Sequence, residues 1–226
     1  MEDRLNKIKK YGYWRILIRP LNFEKEKVKT LLECREIIEK SKVSYRGWDF
    51  PHLDRVETSN GTDWIESGAD FDDIIEYWRF YQSGQFVHYL AIREDYRRKD
   101  IESSIGKTEK NDRFFNIETT IYRITEVFEF AYRLLECMIL NPNFEISINI
   151  IGVKERELFF FQRDRYLSNK YKSVIDKIEF AKEYSENDFI AKKDELTFEC
   201  IEYVFEKFNF YPSRQIINEI QEKIMK

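Results

Sequence analysis

The chain has few of the residues that are typical of metal-binding, disulfide-bonded or loop-rich proteins. Its 226 residues include three cysteines, two histidines, seven glycines and four prolines. Three widely spaced cysteines (Cys34, Cys137 and Cys200) indicate buried free thiols, since neither a disulfide framework nor a zinc signature such as Cys-x-x-Cys occurs. So few glycines and prolines argue against long flexible linkers.

Long hydrophobic runs and the common catalytic signatures are also missing. No apolar stretch approaches the roughly 20 residues that cross a bilayer, and the charged start MEDRLNK lacks the apolar core of a secretory signal. Glycine-rich phosphate loops, the Gly-x-Ser-x-Gly elbow and the acid-x-Lys pair of restriction-type nucleases are absent. These absences predict a cytoplasmic protein without a membrane anchor, and they indicate no cofactor.

Charge is nearly balanced but unevenly distributed. A net charge of −4 gives no general attraction to nucleic acid, which is therefore not an expected partner. Between Asp54 and Glu76 there are eight acidic residues and one basic residue. Mildly basic stretches occur at 97–99 and 163–177, and nucleic-acid binding through the basic segments 97–113 and 163–177 is a third, less favoured hypothesis.

Hydrophobic periodicity predicts an α+β fold with a mainly antiparallel sheet of about six strands and helices packed on one face. Tyr13–Arg19 reads as a strand, and the strongest helix begins after Asn116 and ends at Asn141-Pro142. Further helices are predicted at 22–40, 194–208 and 212–226, and further strands at 74–82, 85–92, 144–151, 155–162 and 173–183. We expect one domain over residues 1–226, with the last two helices (194–226) as a C-terminal helical extension.

Five charged residues interrupt the apolar surface of the strongest helix: Glu118, Arg123, Glu126, Glu129 and Arg133. They can be functional or structural. Glu129 and Arg133 are four apart, the spacing of an intrahelical ion pair. The structural interpretation is favoured for the whole set.

Two strands, Ile74–Gln82 and Gln85–Ile92, are predicted to form a hairpin around Ser83-Gly84. A two-residue loop would place Arg79 opposite His88. One face would then be core and would carry Trp78, Phe80, Val87, Tyr89 and Ala91. The other face would be mixed and half-exposed, and it would carry Tyr77, Arg79, Tyr81, Phe86, His88 and Leu90. Arginine beside tyrosines suits a phosphate or nucleotide, although ordinary cross-strand packing explains the same pattern.

Residues 43–73 show no clean period and are too long for a neutral connector, so we treat them as an ordered, aromatic-rich loop. Trp48, with Phe50 and Pro51, can form a hook for a partner protein or a plug against the sheet. His52 and Asp54, with the acids that follow, can form an oxygen-rich metal site of the kind that Mn, Fe or Mg takes. The simpler alternative is a solvated acidic loop.

Four segments in a fixed order carry a resemblance to other proteins. They read WRILIRP at 14–20, RGWDFPH at 46–52, WRFYQSGQF at 78–86 and TEVFEFA at 125–131. In these segments the chain resembles a family of uncharacterised small prokaryotic proteins. The resemblance covers most of the chain and implies a single-domain bacterial or archaeal cytoplasmic protein, with no activity, cofactor or catalytic residue attached.

Together these observations favour a non-enzymatic interaction or sensing module. It would bind a partner protein or a small anionic ligand through a set of aromatic, arginine and histidine side chains: Trp48, His52, Tyr77, Arg79, Tyr81 and His88. Surplus apolar helical faces also predict a homodimer. The alternative is a metal-assisted hydrolase acting on nucleotides or nucleic acid through His52, Asp54 and the neighbouring acids.

Overall fold

The computed structural model describes residues 2–53, 57–71, 74–106, 112–162 and 165–224. The helices in these ranges are α1 (Glu2–Ile8), α2 (Leu31–Ser41), α3 (Arg98–Ile105), α4 (Ile117–Glu136), α5 (Glu186–Glu206) and α6 (Arg214–Gln221). The strands are β1 (Tyr13–Pro20), β2 (Ser59–Asn60), β3 (Trp64–Phe71), β4 (Ile74–Tyr81), β5 (Phe86–Ala91), β6 (Arg113–Asn116), β7 (Asn143–Ile151), β8 (Arg156–Phe159) and β9 (Lys177–Ser185). Within the same ranges, no helix combines the length and apolarity needed to cross a bilayer.

Seven strands form one antiparallel sheet in the order β2-β3-β4-β5-β1-β7-β9. The predicted α+β class and mainly antiparallel sheet are confirmed, with one strand more than expected in this sheet. The strands predicted at 144–151 and 155–162 would suggest a second hairpin, and that interpretation is wrong. After Gly152 the chain leaves the sheet, β8 pairs in parallel with β6, and β9 takes the place beside β7. The backbone N–H groups of Gly152 and Val153 both donate to the carbonyl of Asp176, which ties this departure to the start of β9.

The main core lies between the sheet and α4. Ile16 and Ile148 from the sheet meet Ile121, Ile124 and Phe128 from the helix in one continuous buried cluster. Asn116 caps α4 as predicted, since its side chain accepts a 2.7 Å hydrogen bond from the Thr119 N–H. The last two helices contribute to the same core through buried apolar side chains: Cys200, Val204 and Phe205 of α5, and Ile217 and Ile220 of α6.

One short helix, α1, was not predicted, and it lies on the opposite face of the sheet. Its Leu5 and Ile8 pack with Ile75, Tyr77 and Ala91, whose side chains point away from the main core. The predicted one-sided arrangement therefore describes the longer helices but not α1. Seven residues are too few to show a clear apolar period, so no helix was predicted there.

Other predicted boundaries need correction, since the helix predicted to end at Asn141-Pro142 ends at Glu136 and the helix predicted at 194–208 begins at Glu186. The helix expected from Asn22 begins only at Leu31, where Thr30 and Glu33 form a capping box that fixes the first turn. The region 43–73, treated as a loop, contains β2 and β3, and α3 and β6 form where no helix or strand was predicted. Gly68 and Ala69 in β3 weaken the apolar alternation by which a strand is recognised.

The β4–β5 hairpin forms as predicted, but its register is shifted by one residue. The loop has three residues rather than two, because the Tyr81 N–H bonds to the Gln85 carbonyl across Gln82-Ser83-Gly84. Trp78 therefore faces His88, and Arg79 faces Val87. A shift of one residue moves every side chain of a strand to the other face. Phe86, His88 and Leu90 thus lie on the core face, and the predicted Arg79–His88 pair does not exist.

Candidate functional site

The structure divides the predicted site residues between the two faces of the sheet. Tyr77, Arg79 and Tyr81 share the outer face, as predicted. Arg79 Nε bonds to Glu66 at 2.6 Å, and the Tyr77 hydroxyl donates to the same carboxylate at 2.7 Å. The Arg79 guanidinium also lies 4.8 Å from the Trp64 ring. Because Glu66 already offsets its charge, Arg79 is poorly placed to bind an outside anion.

The other predicted residues meet on the inner face around Glu76. His88 Nε2 lies 2.8 Å from Glu76 Oε2, and both side chains are fully buried. The Trp48 indole N–H donates to the second oxygen of Glu76 at 3.3 Å. His52 stacks on Trp48, with ring centroids 4.1 Å apart. Trp48, His52 and His88 therefore belong to one cluster, separate from Arg79.

The predicted metal site stays a prediction. Asp54 lies outside the described residues. Where the chain is described, no group of three His, Cys, Asp or Glu side chains could hold a metal ion. The His52 ring is stacked on Trp48, and its backbone carbonyl accepts a 2.7 Å hydrogen bond from Trp78 Nε1. These contacts give His52 a packing role of its own.

A cavity of about 1300 Å³ opens beside Trp48, at one end of the sheet and next to the first turns of α4. Among the described residues that line it, five are basic and two are acidic: Lys7, Arg46, Arg93, Arg97 and Arg123 against Asp70 and Glu94. This excess of positive charge occurs in a chain whose net charge is −4. The described lining of the cavity therefore has more basic than acidic residues, although the chain as a whole has a negative net charge.

One buried carboxylate, Glu126, faces two of these arginines. Arg46 binds it with both fork nitrogens, at 2.8 Å and 2.7 Å. Arg123 Nη1 lies 3.4 Å from the same carboxylate. Glu126 is fully buried and Arg123 is 4% exposed. The buried carboxylate of Glu76 also raises the pKa of Arg123 and of Arg46, so the two guanidinium groups lie among two buried carboxylates.

Arg123 is also short of hydrogen-bond partners. In the part of the chain that the structure describes, neither its Nε nor its Nη1 has an acceptor in hydrogen-bonding geometry. Burial lowers the pKa of Arg123, as does neighbouring Arg46, while Glu126 raises it. Buried polar groups are normally satisfied, and each exception calls for an explanation. Nε and Nη1 are closed to solvent, so a ligand in the cavity would reach the guanidinium through its remaining nitrogen, Nη2.

Local structure accounts for the placement of these groups. Val43 and Phe50 exchange two 2.8 Å backbone hydrogen bonds, which close the loop that carries Arg46 and Trp48. Phe50 is buried, and the Arg123 guanidinium lies 5.5 Å from its ring. Arg123 and Glu126, three residues apart on α4, share the helix face that looks toward this loop.

Sequence reasoning selected part of this site. It pointed to Trp48 and named Arg123 and Glu126 as charged residues on an apolar helix, but it preferred a structural role for them. It missed Arg46, Arg93, Glu94 and Arg97 as a set, since they approach one another only in the fold. The predicted Glu129–Arg133 ion pair is confirmed at 2.9 Å.

Glu94 is an acid among the basic side chains of the cavity. Its Oε1 accepts a 2.8 Å hydrogen bond from the Asn116 N–H, just before α4. Burial raises the pKa of Glu94 above its usual value, although backbone hydrogen bonds act in the opposite direction. Its carboxyl is therefore more easily protonated than an exposed one, and in the neutral form it can donate a hydrogen bond.

Acidification should destabilise the protein through His88. Burial lowers the pKa of His88 below its usual 6.5, and Arg123 adds to this, although Glu76 opposes it. Because the unfolded chain takes up this proton at a higher pH than the folded chain, the contribution of neutral His88 to the free energy of unfolding is complete above about pH 6.5. It is lost as the pH falls through the folded pKa. Urea unfolding between pH 7.5 and 5.0 should show the decline, and His88→Gln should reduce its slope. An unchanged slope in the variant would contradict this assignment.

Comparison with protein-family models, with curated proteins and with solved structures finds no match to this chain. The resemblance to a prokaryotic family stays a prediction, and a functional proposal depends on the cavity itself.

Proposed function

We propose that this protein is a recognition or sensing module that binds a small anionic ligand in the arginine-lined cavity. The observation that carries the proposal is the Arg123 guanidinium, which is buried, charged and short of acceptors at the cavity wall. A phosphate or carboxylate would accept a charge-assisted hydrogen bond from Nη2, which is not among the nitrogens closed to solvent.

Two further features support an anion. Basic side chains outnumber acidic ones in the described lining of the cavity. The first turns of α4 also contribute Thr119 and Thr120 to the wall. The N-terminal end of a 20-residue helix carries a partial positive charge, which favours a negative ligand nearby.

The proposal keeps the predicted ligand class but moves the site. Trp48 stays in it, and His52 and His88 support Trp48 through stacking and through Glu76. Tyr77, Arg79 and Tyr81 lie on the other face of the sheet. A partner protein, a homodimer and a metal-assisted hydrolase stay predictions, none of which this cavity requires.

Replacing Arg123 by glutamine should weaken anion binding about ten- to a hundredfold, the effect of losing a hydrogen bond from a charged group. Arg46 still binds Glu126 in the variant, so the fold should be retained. Binding is measured by calorimetry with inorganic pyrophosphate at low salt.

The matched control is Arg133→Gln, which removes the same charge from the same helix. Arg133 bonds to Glu129 and lies outside the described lining of the cavity. This variant should bind pyrophosphate like the wild type. Equal affinities in the two variants, or no binding by the wild type at low salt, would overturn the proposal.

A further inference from the structure

The cavity has aromatic as well as basic walls. Six of the described residues that line it are aromatic: Tyr11, Trp14, Trp48, Phe71, Tyr96 and Phe115. A volume of about 1300 Å³ also exceeds what an inorganic anion fills, and it is larger than the roughly 300–1000 Å³ of most small-ligand sites. A phosphate or carboxylate alone would leave most of this space and nearly all of the aromatic surface without a contact.

The best-defined aromatic wall is Trp48, whose indole is held by three different contacts. His52 stacks on it at 4.1 Å with the ring planes 19° apart, and Phe71 meets it edge-on at 5.8 Å. Its N–H bonds to the buried carboxylate of Glu76. A ring that is fixed in this way loses little conformational freedom when a ligand packs against it.

The aromatic wall lies next to the anion-binding groups. Trp48 and Arg46 are two residues apart, so their Cα atoms are separated by no more than about 7 Å. Arg46 shares Glu126 with Arg123. Trp48 and Arg123 line the same cavity, so a planar ring against Trp48 and an anionic group at Arg123 can belong to one ligand.

We propose that the ligand is a nucleoside monophosphate, with its base against Trp48 and its phosphate at Arg123. This inference rests on the proposed anion-binding function and adds that the anionic ligand also carries a nucleobase. Any nucleobase can stack on an aromatic side chain, because every base has a π-face. Arginine offers a fork of donors that matches phosphate and a flat surface for stacking. The chain lacks a glycine-rich phosphate loop, so the arginines take the role that backbone N–H groups have in such loops.

The test compares three probes on the full chain by calorimetry: adenosine monophosphate, ribose 5-phosphate and inorganic pyrophosphate. The wild type should bind adenosine monophosphate about tenfold more tightly than ribose 5-phosphate, which has the same phosphate and no base. Trp48→Leu should weaken the binding of adenosine monophosphate more than that of ribose 5-phosphate, so that most of the difference between them is lost. Trp48→Phe, which keeps a ring, should retain most of the difference.

Each outcome decides between the two proposals. Equal affinity of the wild type for adenosine monophosphate and ribose 5-phosphate would overturn the nucleotide inference and leave anion binding standing, provided that Arg123→Gln still weakens pyrophosphate binding. The wild-type comparison needs no variant, so it decides the question even if Trp48→Leu fails to fold. Absence of binding to all three probes at low salt would overturn both proposals.

Discussion

Replacing Arg156 by methionine should lower the free energy of unfolding by about 3–5 kcal/mol, the usual effect of breaking a buried ion pair. Arg156 is fully buried, and each of the three nitrogens of its guanidinium group donates a hydrogen bond. It donates to the carbonyl of Gly152 at 2.6 Å, to the carbonyl of Phe114 at 2.9 Å and to Asp95 at 2.6 Å. Methionine fills similar space but leaves all three acceptors without this donor.

The same contacts connect Arg156 to the cavity. Asp95 also accepts a 2.7 Å hydrogen bond from the Gly12 N–H, so Arg156 joins the turn after β5 to the start of β1. A Cβ atom on residue 12 would collide with the Arg156 guanidinium, which explains the glycine there. Because Arg93 and Glu94 lie on the turn that Asp95 anchors, the variant should also weaken pyrophosphate binding.

The control is Arg113→Met, at the position that pairs with Arg156 between β6 and β8. Arg113 also donates to the Gly152 carbonyl, at 2.8 Å, but it is only half-buried and makes no ion pair with Asp95. Its loss should lower stability by about 1 kcal/mol. Urea unfolding measures both variants, and equal losses would contradict the role assigned to Arg156.

The start of α4 and the end of β1 were predicted well because local residues mark them. Helix α4 has a long run of apolar residues at helical spacing and a capping asparagine, and β1 ends at a proline. Local propensity and tertiary packing agree at these places. By contrast, Ser83-Gly84 suits loops of two or three residues equally well. The choice of a two-residue loop placed His88 on the surface in the prediction, whereas the three-residue loop places it in the core.

The cavity was harder to predict because its lining comes from separate parts of the chain. Arg46, Arg93 and Arg123 belong to a loop, a turn and a helix, and nothing local to any of them indicates the other two. The local signals were Trp48 and the charged residues on the apolar surface of α4, among them Arg123 and Glu126. Buried charges are expensive, so such a pair indicates a site more often than its spacing alone suggests.

Replacing Glu126 by glutamine should lower the free energy of unfolding by about 3 kcal/mol and make stability depend more strongly on added anion than in the wild type. Glutamine keeps the shape of the side chain but removes the charge that holds Arg46 and Arg123 together. A bound anion can restore part of that charge. Ligand at a hundredfold excess over its dissociation constant stabilises a protein by about 2.7 kcal/mol, so pyrophosphate should recover much of the loss.

The control for this variant is Glu129→Gln, three residues further along α4. Glu129 also faces two cations, Arg133 at 2.9 Å and Lys193 at 2.5 Å, but both of these are more than 20% exposed. Water can solvate them once the carboxylate is gone, so the loss should stay near 1 kcal/mol and should not respond to pyrophosphate more than the wild type does. Thermal unfolding with and without pyrophosphate at low salt measures both variants. If Glu126→Gln matches Glu129→Gln in stability and in its response to anion, the charge of Glu126 is not what balances the arginines at the cavity wall.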